Sequence, residues 1–338
     1  MQLGRLGHTL TAREIFELVK NDLERVEREI SLESVASVDA VTTISRYLQD
    51  GGGKRLRPIL VLLASQLVGG VSDGTIRMAA VVEMIHAATL VHDDVIDFAK
   101  TRRGRPSSNA IWGNHTCVLA GDWLYMQAFQ MALRERNFHV LDLLITLTQM
   151  MVEGELLQLE RIGKIDVSEA DYMELVDRKT ASLFSACARL GAVMGQNAGP
   201  SAAETAEIRL GEFAWNLGIA FQLTDDVLDF TANEDVLGKP VGGDLREGKV
   251  TLPLIYALED ATAEERQLIA TVLSDGTYDR APFAEILRLI ERRRGFERVR
   301  ERAQAFTDQA RTIIGEFPDS ASQRALAALP ELITERDH

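Results

Sequence analysis

Cysteine is nearly absent from this 338-residue chain, with Cys117 and Cys187 the two present. So few exclude a disulfide framework and point to a reducing compartment, the cytosol. Both lie in apolar helical stretches without metal-ligand spacing and read as packing residues. Basic charge is also in deficit: 37 Lys and Arg against 51 Asp and Glu give a formal net charge of −14. That argues against a nucleic-acid-binding surface, which carries a basic excess. No apolar run looks long enough to span a bilayer, since the most apolar stretch, 58–68, is broken by Ser65 and Gln66 and stops at Gly69-Gly70. The first 20 residues mix charges with apolar side chains and show no signal-peptide core. No Pro/Ser linker, low-complexity tract or repeated consensus divides the chain, so one domain over 1–338 is expected.

What is present is a globular composition, 46% hydrophobic and 26% charged, with helical periodicity throughout and no convincing alternating strand. Thr11-Ala-Arg-Glu14 reads as a capping box that opens a helix running to Ile30. Further helices are predicted over 33–48, 55–67, 73–98, 109–135, 138–160, 168–196 and 202–231. A basic loop follows the fourth, at 100–106, and a glycine-rich loop occupies 238–248. Shorter helices then start near Thr251, Thr262, Pro282 and Gly295 and end near Ile333. The fold class expected is all-α, a single large unit of long, mostly antiparallel helices around a central core.

Two acidic segments stand out. Asp93-Asp-Val-Ile-Asp-Phe98 and Asp225-Asp-Val-Leu-Asp-Phe230 differ only at Ile96 against Leu228. Asp93, Asp94 and Asp97 occupy positions i, i+1 and i+4, an arc of roughly 100° on one helix face. Asp225, Asp226 and Asp229 repeat the arrangement. Three carboxylates on one face repel each other, and the helix dipole worsens this at a C-terminus. One such triple is an ordinary solvated helix end, whereas two near-identical copies among apolar residues point to bound cations. Oxygen-only ligands suit Mg²⁺, which keeps waters and shares its shell with substrate phosphates.

Cations for the matching anions are also present. Lys54 and Arg57 flank a helix start after Gly51-Gly-Gly53, where free backbone N–H groups favour phosphate. Arg102 and Arg103 follow the first acidic segment, Lys179 and Thr180 lie mid-helix, and Lys239 and Lys249 follow the second segment. Singly each is an ordinary surface charge; together, in a chain of net −14, they suggest two phosphate seats beside a metal site. His86, two turns before Asp93, falls on nearly the same side of the helix. A lone histidine on an apolar helix is more often a core residue, and here the neighbouring cations turn the reading toward a ligand. His92 reads as structural.

These residues resemble the trans-isoprenyl (polyprenyl) diphosphate synthases. The resemblance runs through Gly52-Gly-Lys-Arg-Leu-Arg-Pro58, Glu83-Met-Ile-His-Ala87, His92-Asp-Asp-Val-Ile-Asp97, Arg102-Arg-Gly104 and Gly121-Asp122. It continues through Lys179-Thr180, Phe221-Gln-Leu-Thr-Asp-Asp-Val-Leu-Asp229 and Gly238-Lys-Pro-Val-Gly-Gly-Asp244. It implies an all-α fold around a deep cavity, usually a homodimer, and head-to-tail condensation of isopentenyl diphosphate onto an allylic diphosphate. By the resemblance, Asp93, Asp94, Asp97, Asp225 and Asp229 bind Mg²⁺, three ions per site in the family. Arg102, Lys179, Gln222 and Lys239, with Lys249 nearby, hold the allylic diphosphate. Lys54, Arg57, His86 and Arg103 seat isopentenyl diphosphate, and Thr180 flanks the reacting carbon. Asp226 is counted with the catalytic group. No membrane span is implied, only transient membrane contact for product release.

Product length is read from the helix before Asp93. Thr89, Ala88 and Ile85, four, five and eight residues back, are expected to line the path of the growing chain. Family members with short products carry bulky aromatics at the first two of these positions. The small residues here imply a long-chain product, hexaprenyl to decaprenyl, with Met84, Met126 or Phe129 as candidate floor. Farnesyl or geranylgeranyl diphosphate synthesis is the alternative. A class I terpene cyclase would carry an Asn/Ser/Glu-type second metal motif in place of Asp225-Asp226. A non-catalytic subunit of a heteromeric synthase would have damaged aspartate motifs.

Overall fold

A computed structural model describes residues 9–102, 104–195, 200–232 and 241–334. The first helices are α1 (Ala12–Glu33), α2 (Asp39–Asp50), α3 (Leu56–Val68) and α4 (Asp73–Ile96). The basic loop folds into a minimal antiparallel hairpin, β1 (Thr101–Arg102) with β2 (Arg105–Pro106). Then come α5 (Ser108–Trp112), α6 (Asn114–Leu133), α7 (Phe138–Arg161), α8 (Glu169–Val176), a π-helical turn (Asp177–Ala181), α9 (Ser182–Gly195) and α10 (Pro200–Thr231). The remainder holds α11 (Gly243–Arg246), α12 (Leu252–Leu258), α13 (Ala263–Asp275), α14 (Phe283–Arg292), α15 (Gly295–Gly315) and α16 (Ala321–Thr334).

The all-α reading holds, and the capping signals explain where several helices begin. The Thr11 hydroxyl accepts from the Glu14 N–H while Glu14 accepts the Thr11 N–H at 2.9 Å, as the capping box requires. Behind it Ile15, Val19, Leu23, Val26 and Ile30 form the buried stripe of α1. Two predicted helices are broken. The 109–135 segment divides at Gly113, whose φ of 78° suits glycine and interrupts the helix. The 168–196 segment divides at the π-helical turn.

Among the described residues the core has two large apolar clusters joined by α10 and a small third one formed by Ile44, Val91, Cys117 and Ala120. Leu210, Phe213, Ala214 and Leu217 pack into the larger cluster with α1, α3, α4, α6 and α9. Ile219, Leu223, Val227 and Phe230 belong to the second, with α12 to α15. Helix α3 lies close against α9, where a Cβ on Gly191 would sit 2.3 Å from the Val61 carbonyl oxygen. Helix α4 is apolar nearly all round, with a mean hydropathy of 1.3 over an 18-residue window, long and apolar enough to cross a membrane by composition. The expectation of no such stretch is corrected here. Most of that window, 72%, is buried in the fold, and core burial accounts for its composition.

Candidate active site

The site assembles where α4 ends. Counting back from Asp93 at ~100° per residue puts Thr89 and His86 within roughly 40° of it, along one stripe. All three line a cavity of about 470 Å³ together with Arg57 of α3, Tyr125 of α6, Met151 and Glu155 of α7, Lys179 and Thr180 of the π-helical turn, and Leu183 of α9. Burial pushes the Asp93 carboxyl up to about 6; Lys179 opposes the shift, and Glu155 and Asp97 add to it. Asp94 is buried and accepts from Arg102 Nε at 2.7 Å, while its Oδ2 has no hydrogen-bond partner among the described residues. Asp97 ends α4, its N–H bonded to the Asp93 carbonyl at 2.8 Å, and its carboxylate accepts from Lys249 Nζ at 3.1 Å. The Lys249 ammonium is held above its ordinary range: burial opposes this, but Asp97, Glu247 and Asp244 outweigh it.

The second acidic segment lies on α10, which contacts the π-helical turn. Asp226 is 2% exposed, and both its oxygens are occupied, one by the Tyr172 hydroxyl at 2.6 Å and one by Gln222 Nε2 at 2.7 Å. Gln222 Oε1 in turn accepts from the Thr180 hydroxyl at 2.9 Å. Asp226 was expected among the catalytic residues. Its hydrogen bond to Gln222 places it directly behind the contact between Gln222 and Thr180. Burial and the nearby Asp244 and Asp225 raise its pKa, against the two hydrogen bonds. Asp229 is buried, and its Oδ2 accepts the Asp244 N–H at 3.2 Å; Asp225 is partly exposed on the same helix. Tyr172, Gln222, Asp226, Asp244 and Lys249 line a compartment of about 200 Å³ that shares Lys179 and Thr180 with the central cavity.

A third, smaller compartment of about 70 Å³ shares His86 and Leu90 with the central cavity and is walled by Gly51, Gly52, Asp94 and Arg102. Arg105 also lines it, its guanidinium stacked 4.0 Å over the Tyr47 ring. Lys54 is exposed immediately before α3, and Arg57 lies 5.6 Å from the centre of the Phe184 ring. Arg55 turns away to pair with Glu27 and Glu83. His92 makes a 3.0 Å contact to the Val118 carbonyl and fills the space left by Gly121, where a Cβ would come within 2.2 Å of its ring. Arg103 and Lys239 lie outside the described residues.

Sequence reasoning missed Glu155 and Gln158, which accept from Lys179 Nζ, the latter at 3.2 Å. It also missed Tyr172 and assigned no role to Asp244. Their spacing, Glu155 and Gln158 one turn apart on α7, was the available signal. Among the described residues no three His, Cys, Asp or Glu side chains are gathered closely enough to hold an ion by themselves. The donors nonetheless fit Mg²⁺. They are all carboxylate oxygens, Asp94 Oδ2 is orphaned among the described residues, and the Asp93, Asp97 and Glu155 charges crowd one another. A metal that takes only one or two carboxylates and completes its shell with water and phosphate suits such a set.

One expectation about product length is corrected. Thr89 lines the central cavity, whereas Ala88 and Ile85 are fully buried in the main core and are not among its lining residues. Five residues turn a helix through roughly 500°, so Ala88 points about 140° away from Asp93. Met126, a candidate floor, is 64% exposed on the outer face of α6, and Met84 lines the smallest compartment.

Residues 38–290 match the family model described as Polyprenyl synthetase. The chain is 36% identical to the octaprenyl diphosphate synthase of Escherichia coli K12 over 328 residues, 97% of this chain and 100% of that one. Its structure is similar to a decaprenyl diphosphate synthase from Rhodobacter capsulatus, with a TM-score of 0.90 and 33% identity over 97% of this chain and 100% of that chain. It is also similar to a polyprenyl synthase from Caulobacter crescentus CB15 complexed with calcium and isoprenyl diphosphate, with a TM-score of 0.91 and 32% identity over 98% and 100%.

Proposed function

The chain belongs to the polyprenyl synthetase family and is a trans-prenyltransferase of the long-chain type, and within that activity we propose a division of its cations between two substrates. Arg102, Lys179, Gln222 and Lys249, with Lys239, hold the allylic diphosphate between the two acidic segments. Lys54, Arg57 and His86, with Arg103, seat isopentenyl diphosphate. The observation that carries this reading is one cavity of about 470 Å³ with Asp93, Lys179 and Thr180 on its wall and Arg57 and His86 beside them.

Asp93, Asp94 and Asp97 on one side and Asp225 and Asp229 on the other would hold Mg²⁺, three ions per site. When bound, Mg²⁺ screens the diphosphate and makes it a better leaving group. The protein's own groups do the rest. Lys179 and Arg102 stabilise negative charge on the departing oxygen as the allylic C–O bond breaks, the preorganised electrostatic effect that dominates such reactions. Thr180, oriented by Gln222 and Asp226, flanks the reacting carbon. Leu183, Tyr125 and Val118 keep water from the allylic cation. The isopentenyl double bond then closes the new C–C bond, and the proton lost from the adjacent carbon passes to the released diphosphate. No Ser-His-Asp or Cys-His nucleophile is needed.

Thr89, on the cavity wall, is the position we assign to product length, with hexaprenyl to decaprenyl diphosphate as product. We place the enzyme in the cytoplasm and its working state as a homodimer. Leu119, Met126 and Leu133 on α6 and Ile145, Val152 and Leu159 on α7 are exposed at intervals of seven, two turns of one face. Val152 and Leu159 also line the central cavity, so a second copy laid on this stripe would cover its wall. Incubating purified chain with isopentenyl diphosphate, an allylic primer and Mg²⁺, followed by mass spectrometry of the product, tests the reading. Consumption that depends on Mg²⁺ and yields hexaprenyl or longer chains supports it. No consumption, or a product that stops at geranylgeranyl length, overturns it.

A further inference from the structure

Lys179 and Thr180 are neighbours in sequence, and in a regular α-helix neighbours point ~100° apart. Both line the central cavity and the second compartment. They sit in a π-helical turn, a wider winding set between two α-helical segments. The Ser182 N–H bonds to the Asp177 carbonyl, five residues back. The Arg178 carbonyl, which an α-helix would have given that N–H, is taken instead by the Ser182 hydroxyl at 2.7 Å. A π-helical turn inside a helix is a local cost that persists where the surroundings enforce it.

The surroundings here are specific. On α7, a Cβ on Gly154 would stand 3.0 Å from Arg178 Cβ and 3.2 Å from Lys179 N. On α10, a Cβ on Gly218 would stand 2.8 Å from Ala181 Cα. Trp215, one turn before Gly218, donates its indole N–H to Asp177 Oδ1 at 2.5 Å. Its ring is itself fixed edge-on against Phe306, with centroids 5.8 Å apart at 72°. Gln222, about two turns beyond Trp215, accepts from Thr180. One face of α10 thus contacts the turn at its start, its end and its reactive side chain.

We propose that Trp215, acting through Asp177, is a positioning residue that holds this π-helical turn and so sets Lys179 and Thr180 against the allylic diphosphate. The proposal rests on the function argued above. Neither Trp215 nor Asp177 lines the substrate compartments; both face a groove on the far side of α9 with Ser185 and Arg189.

The test is Trp215→Phe, which keeps an aromatic ring against Phe306 and removes the N–H. A shift in the turn of the order of an ångström should raise KM for the allylic diphosphate and lower kcat by about tenfold each. KM for isopentenyl diphosphate should stay within about twofold, because His86, Arg57 and Lys54 do not depend on the turn. Asp177→Asn keeps the acceptor and should behave as wild type. Asp177→Leu should match Trp215→Phe, and the double variant should be no worse than either. Wild-type kinetics in Trp215→Phe, or equal losses toward both substrates, would overturn the proposal. If Trp215→Phe fails to fold, Asp177→Leu tests the same bond with the indole in place; loss of helical circular dichroism in both variants would make the pair a fold element and overturn the proposal as well. A crystal structure of the variant gives a readout independent of substrate. Ser182 N–H reconnected to the Arg178 carbonyl supports the proposal, and an unchanged π-helical turn refutes it. An inactive wild type would instead overturn the function, leaving that structural readout to decide the latch.

Discussion

At the residue scale, the direction of each side chain around α4 matters more than its distance from Asp93 along the sequence. Thr89 faces the cavity and Ala88 faces packed core. Thr89→Phe should therefore block the growing chain and shift the product to farnesyl or geranylgeranyl length, with the first condensation retained. Ala88→Phe should instead overpack the core, costing about 1–3 kcal/mol of stability with little change in product length. Product mass spectra and melting curves of the two variants separate these outcomes. A shortened product from Ala88→Phe would show that the cavity bends toward the core. For the metal-binding carboxylates, Asp93→Ala or Asp225→Ala should lower turnover by at least about a hundredfold, with the helical circular dichroism unchanged. Near-normal turnover in either variant would dismiss a metal site shared by the two segments.

At the scale of single elements, helix termini carry separable stability. At the start of α13, Glu265 accepts the Thr262 N–H at 2.9 Å and receives hydrogen bonds from Arg293 at 2.8 Å and Arg292 at 3.1 Å. The Thr262 backbone bond first, then Arg293, lowers its carboxyl to about 2. A depressed carboxyl pKa stabilises the fold above the usual value near 4.5 and loses that contribution as pH falls toward 2. Glu265→Gln should thus lower the melting temperature by about 2 °C at neutral pH. The deficit should shrink between pH 4.5 and 2. A deficit that is constant across that range would mean that packing, not charge, accounts for it.

At the scale of the whole molecule, the apolar stripe on α6 and α7 is the surface proposed to take a second copy. Met126 and Val152 are 64% and 55% exposed. A charge placed at each, Met126→Arg with Val152→Arg, should leave a folded monomer, read by sedimentation equilibrium, because a desolvated arginine in an apolar contact has no partner. Since Val152 also lines the central cavity, the monomer should make shorter or leakier products. A dimer that survives both charges would place the subunit contact elsewhere.

The sequence by itself determined the all-α class, most helix starts and the ingredients of the site. Those depend on local rules: capping boxes, 3.6-residue periodicity and the i, i+1, i+4 spacing of the aspartates, each readable within a few residues. The family resemblance rested on the same short motifs. The pairings, however, needed the tertiary structure. Lys249 meets Asp97 across 152 positions, and Asp226 meets Tyr172 across 54. Such contacts arise from packing whole helices against one another, which no local spacing encodes. The break of one predicted helix into α8, a π-helical turn and α9 has the same origin. Nothing in Asp177-Arg-Lys-Thr-Ala181 forbids an α-helix; contacts from Gly154, Gly218 and Trp215 on other helices hold the turn. Ala88 and Thr89 differ for a geometric reason, since a step of ~100° per residue separates a cavity wall from a core position one residue away.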